Sequence, residues 1–149
     1  MKLLPPLLLI LCSLNLKAQK LFSTRNLVGY GLMMVSGAAN GFTDAQVAYQ
    51  PFKGNQWWDM YLSDNNKYKN HDIKQGPAFF GSTTIFVAGT DAFHCFGLVR
   101  DVTATAAVVI SYEDFKDMKH KWKYLLLKGL ISYGFNRAGH TLMYDVVLK

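Results

Sequence analysis

Cysteine is almost missing: Cys12 and Cys95 are the only two in 149 residues. A disulfide scaffold and a zinc site built from cysteine pairs are therefore excluded. Charge is also scarce, at 17% of residues, where soluble domains carry about a quarter. No His-Glu-x-x-His, Gly-x-Ser-x-Gly or dinucleotide fingerprint occurs. Residues 76–83 have the glycine spacing of a phosphate-binding loop, but Ser82 stands where such a loop needs lysine. Residues 64–75 resemble a calcium loop without its central glycine, and Gln75 takes the place of the closing glutamate. What is plentiful is apolar: 50% of residues are hydrophobic and 14% aromatic, which excludes intrinsic disorder. A chain of this size makes one domain, and a mean hydropathy of +0.07 suits either a membrane or a soluble setting.

The chain opens with Met1-Lys2, an apolar run from Leu3 to Leu11, and small or polar residues up to Ala18. This is the pattern of a secretory signal peptide, and cleavage after Ala18 is expected. The run is too short to span a bilayer and holds Pro5-Pro6. Leu11 precedes Cys12, where lipidation needs a small residue, so Cys12 leaves with the signal. Cleavage removes Lys2 and Lys17 and lowers the formal net charge from +6 to +4. Lys116, Lys119, Lys121 and Lys123 alternate with Glu113, Asp114 and Asp117, a mixed-sign run that suits headgroups or water and not nucleic acid. The expected location is the bacterial inner membrane or the periplasm.

Residues 26–42 carry no charge and are mostly small or apolar, which predicts a first helix. Gly29, Gly37 and Gly41 are spaced by multiples of four along it, as in small-xxx-small packing between membrane helices. They are expected to meet another helix of this chain, a second copy, or another membrane protein. Residues 51–77 are rich in breakers and read as a long aromatic loop, with Trp57 and Trp58 suited either to the membrane interface or to pinning the loop onto a core. Residues 78–99 predict a second, span-length helix. Residues 102–112 are too short to cross alone; they fit a half-span, a continuation of the second helix, or a hairpin arm. Residues 124–148 predict a last helix with inward polar groups. With the mature N-terminus outside, the lysine-rich segments 51–77 and 113–123 both become cytoplasmic if 102–112 crosses.

Asp91 and His94 fall three apart on the second predicted helix, with Thr83, Thr84 and Thr90 nearby. Tyr133, Arg137, His140 and Tyr144 recur at helical steps on the last, and an Asp91–Arg137 pair is the expected contact. Two readings stand side by side. In one, Asp91, His94 and His140, joined by Asp44, act as general acid and base or hold a metal; in the other they form a buried network that keeps helices in register.

The segments Asn66-Lys67-Tyr68-Lys69-Asn70, Gly76-Pro77-Ala78-Phe79-Phe80-Gly81-Ser82-Thr83-Thr84 and Thr90-Asp91-Ala92-Phe93-His94 together resemble a group of small uncharacterised bacterial membrane or envelope proteins. The resemblance implies a membrane setting, singles out Lys67, Lys69, Asp91 and His94, and carries no activity and no cofactor. The expectation is an all-α bundle of three to four helices, membrane-embedded, comprising residues 19–149 after signal cleavage and acting by association with the lipid bilayer and protein partners. The first alternative is a membrane-associated hydrolase using Asp91, His94 and His140, with Asp44, Arg137, Lys67, Lys69, Trp57 and Trp58 as binding residues. The second is a soluble periplasmic helical binding domain.

Overall fold

The computed structural model describes residues 21–112 and 121–149; the expected signal peptide and Lys116 and Lys119 lie outside them. Ser23 opens the first helix, its hydroxyl oxygen accepting from the Asn26 amide at 3.3 Å. The uncharged run that follows meets no breaker until Gln50 turns left-handed, at φ 49°, ahead of Pro51. The resulting helix, α1 (Thr24–Tyr49), contains the expected residues 26–42 and runs on to the loop.

Residues 50–91 form a connection of turns and short helical pieces, among them α2 (Ser63–Lys67). Asp59 is buried and organises its start, accepting from the Gly54 amide at 2.7 Å and the Tyr61 amide at 2.9 Å. The connection is stitched to itself where Tyr68 and Pro77 form an isolated antiparallel bridge, with Ala78 donating to the Lys67 carbonyl at 2.8 Å and Lys69 to the Gly76 carbonyl at 3.0 Å. The segments 66–70 and 76–84 thus pair with each other.

Here the structure corrects the expected second helix. Residues 78–91 are turns and one tight helical turn, and the helix α3 begins only at Ala92 and continues to Tyr112. Gly81 sits at φ 77°, and the Ser82 hydroxyl donates to the Lys67 carbonyl at 2.8 Å, so this stretch is committed to the loop. Thr83 and Thr84 therefore share no helix with Asp91. Residues 102–112 are the second half of α3, in line with the reading of that segment as a continuation. The last helix, α4 (Lys121–Thr141), passes into a π-helical stretch over Leu142–Val147, covering most of the expected 124–148.

Among the described residues, helix α1 is the middle of three long helices. Against α3 its numbering runs backwards: Gly29 lies by Ala107 and Ser111, the Ser36 hydroxyl donates to the Arg100 carbonyl at 3.0 Å, and Phe42 stacks on Phe96 at 4.0 Å. Against α4 it runs forwards: the Asn26 side chain donates to the Tyr124 hydroxyl at 2.7 Å, Tyr30 stacks on Phe135 at 5.4 Å, and Tyr49 meets Tyr144 at 5.1 Å. The α1–α4 crossing is made by glycine. A Cβ on Gly37 would fall on the Asn136 backbone, one on Gly41 would come 2.5 Å from the His140 carbonyl, and one on Gly139 would fall on the Met34 carbonyl. Gly29 turns toward α3 because a four-residue repeat drifts by about 40° per step on a helix of 3.6 residues per turn.

This topology also removes the expected orientation argument. With residues 78–91 making no separate pass, the loop 50–91 stands at one end of the bundle, and α1 and α4 both begin at the other. The lysines of 51–77 and those at Lys121 and Lys123 fall at opposite ends and do not add.

Candidate functional site

Two carboxylate–imidazole pairs form, on different elements. Asp91 sits at the start of α3, where its carbonyl accepts from the Cys95 amide at 3.1 Å and its Oδ1 from the His94 amide at 2.9 Å. It is therefore the helix cap and not a mid-helix residue. The carboxylate is fully buried, and its Oδ2 also accepts from the Ser63 hydroxyl at 2.7 Å and the Thr90 hydroxyl at 2.9 Å. His94 Nδ1 lies 2.8 Å from the same oxygen. Burial by itself pushes the Asp91 pKa up, but the hydrogen bonds from the His94 amide, Ser63, Thr90 and the His94 ring outweigh it and hold it below the ordinary carboxylate value.

An ionised carboxylate only accepts, so His94 Nδ1 carries a hydrogen, and in the neutral ring Nε2 keeps its lone pair. Nε2 bonds to no other group among the described residues. The His94 side chain is 31% exposed and lines a cleft of about 330 Å³ with Thr43, Ile85, Val87, Phe93 and Arg100. Ser63 Oγ stands 3.5 Å from Nδ1, on the carboxylate side of the ring. A nucleophilic hydroxyl belongs on the Nε2 side, so Ser63 is a positioning group here.

The second pair joins α1 to α4. His140 Nε2 lies 2.9 Å from Asp44 Oδ2, which also accepts from the Asn40 side chain at 3.0 Å, and the His140 ring stacks on Tyr144 at 5.4 Å. His140 Nδ1 is buried and has no hydrogen-bond partner among the described residues. Asn40 extends this line toward α3, since Arg100 Nη1 reaches its Oδ1 at 3.4 Å while Arg100 Nε donates to Asp101 at 2.8 Å.

The expected Asp91–Arg137 pair does not form. Asp91 takes its bonds from its own helix and from Ser63, while Arg137 is exposed and bonds to no group among the described residues. Nor do Asp91, His94, His140 and Asp44 make one constellation: among the described residues no three His, Cys, Asp or Glu side chains gather as a metal site would need. Lys67 pairs with Asp64 at 3.1 Å, and Lys69 is exposed. Trp58 packs on Phe42 at 5.9 Å and Phe52 at 5.3 Å, pinning the loop, and Trp57, 37% exposed, leans on Trp58 at 4.9 Å.

Sequence reasoning missed Ser63, Asn40 and Arg100. For Ser63 no local signal exists, because its partners lie on another element, whereas Asn40 stands four residues before Asp44 on α1, a spacing that could have paired them. The cap was passed over by taking residues 78–99 as one helix, although Thr90-Asp91 directly before an apolar run is a helix-start signature that could have marked it. Compared with known proteins, the chain matches no protein-family model, no curated sequence and no solved structure.

Proposed function

We propose that this chain is an exported envelope protein that sits in the bacterial inner membrane and acts through association. One observation carries the reading. The stretch Ala92–Ser111 of α3 is long and apolar enough to cross a membrane, with a mean hydropathy of 1.4, yet only 6% of it is buried. A soluble helix of that character would bury its apolar face against a core. Leu98, Val102, Val108 and Val109 of α3, Leu125, Leu126 and Leu130 of α4, and Leu27, Val28 and Val35 of α1 all face outward. The buried core is small by comparison, with Leu21, Tyr124 and Leu127 as the one cluster of buried apolar side chains among the described residues. Fractionation of cells expressing a tagged chain tests the reading. Retention in alkali-washed membranes, with a mass lower by residues 1–18, is the expected result. Release into the periplasmic fraction would overturn it and favour the soluble binding domain.

A second reading rests on the open Nε2 of His94. An imidazole whose tautomer is set by a buried carboxylate, facing a cleft, suits general-base work on a lipid or cell-wall substrate. Loss of a hydrolytic activity of purified protein in His94→Gln, with unfolding unchanged, supports it. Retention of that activity in the variant removes His94 from the chemistry.

A further inference from the structure

We infer that two copies of this chain pair in the membrane about a two-fold axis parallel to the helices, with Asp101 of each copy against Arg137 of the other. The inference rests on the membrane reading above and assigns the surface through which association occurs. The glycine face is not that surface, because Gly37, Gly41 and Gly139 are consumed where α1 crosses α4, and Gly29 lies against α3. What stays open is the side where α3 and α4 flank α1 with little packing on each other among the described residues. It holds a mostly apolar groove of about 220 Å³ lined by Met33, Ala107, Val108, Leu125 and Gly129, with Lys128 and two serines also in its wall.

Charge selects the occupant. Asp101 follows Arg100, whose carbonyl is held by Ser36, and Arg137 follows Asn136, whose backbone lies against Gly37. Ser36 and Gly37 are neighbours on α1, so both charges stand at one depth, within the span and away from either end. The side chain of Asp101 is 65% exposed with Arg100 as its sole ion-pair partner among the described residues, and Arg137 has none. Lipid at this depth leaves a guanidinium in hydrocarbon, the setting in which such residues turn inward or pair. Asp101 lies two turns from Val108 at the groove, and Arg137 continues the outward stripe of Leu126, Leu130 and Tyr133 beside it.

A two-fold axis along the bundle preserves depth and sets α3 of one copy against α4 of the other, which brings each Asp101 to an Arg137. The chain thus carries both halves of the complementarity in the register that self-pairing needs. A lipid supplies neither the carboxylate nor the register.

The test uses two differently tagged full-length chains with Cys95→Ser, one carrying Val108→Cys and the other Leu130→Cys, each seven residues from its charge and so at one depth, co-expressed and oxidised in membranes. A disulfide between the two tags is expected. Asp101→Arg or Arg137→Asp placed in both chains should lower its yield about tenfold, and the two together should restore it. The doubly substituted chain separates a lost contact from a lost fold. Absence of the cross-link in alkali-washed membranes, or no restoration by the charge swap, overturns the pairing and leaves the membrane reading intact. Release of the protein by alkali overturns both.

Discussion

Removing the carboxylate of Asp91 is the sharpest perturbation the structure offers, because one buried group caps α3 and ties it to α2. In Asp91→Ala the helix loses its side-chain cap, worth about 1 kcal/mol. The Ser63 hydroxyl and His94 Nδ1, which reach the carboxylate at 2.7 and 2.8 Å, are left facing an apolar methyl, at about 1 kcal/mol or more each. Thr90 loses little, since its hydroxyl already lies 2.7 Å from the Val87 carbonyl. Together the loss is about 3 to 4 kcal/mol, a large share of a typical folding free energy. Asp91→Asn keeps the cap oxygen, and both Ser63 and the His94 ring are able to accept from the new amide, so it should lose only about 1 to 2 kcal/mol. In the Asn variant the new amide nitrogen favours a His94 hydrogen on Nε2, while the retained oxygen, 3.0 Å from Nδ1 in the parent, favours leaving it on Nδ1. Thermal unfolding in detergent micelles, followed by the fluorescence of the nearby tryptophans, measures the first effect. Nitrogen chemical shifts of His94 measure the second. An Ala variant within about 0.5 kcal/mol of the parent would refute the reasoning.

Acidification probes the same site: the Asp91 pKa is lowered by folding, so its contribution is complete above the unfolded value near pH 4 and is lost as pH falls through the folded value. An unfolding series down to pH 2 to 3 should show this loss in the parent and not in Asp91→Asn. Gly37→Ala should destabilise by about 2 to 3 kcal/mol by forcing α1 from α4. Gly31→Ala, with no atom within 4 Å of its Cβ, should be neutral or gain about 0.5 kcal/mol, and equal effects would sink the crossing assignment. Trp58→Ala should cost about 3 kcal/mol by emptying the site on Phe42 and Phe52, and Trp57→Ala clearly less, as read by the same unfolding assay.

Helix α1 was legible because an unbroken small and apolar run between a serine cap and a proline leaves the backbone little other choice. The last helix was legible for a similar reason, although its π-helical end was not. The second helix was misplaced because residues 78–99 are apolar throughout, and apolarity alone does not separate a span from a loop pressed onto a bundle. The left-handed Gly81 and the bond from Ser82 to the Lys67 carbonyl decide for the loop, and the second depends on chain fifteen residues away. Asp44 and His140 were each marked as candidates, and they do meet, but in a pair apart from Asp91 and His94.

The sequence by itself determined the helical class, the scarcity of charge, the close approach available at Gly37 and Gly41, and the chemical potential of Asp91, His94, Asp44 and His140. These follow from caps, breakers and residue chemistry that act within a few positions of the chain. Only the tertiary structure decided that Asp91 joins Ser63, that His140 joins Asp44, and that Arg137 stands at the depth of Asp101 with no partner among the described residues. Those outcomes depend on which helix faces which, and that is set by how glycine faces and aromatic clusters pack across the whole bundle.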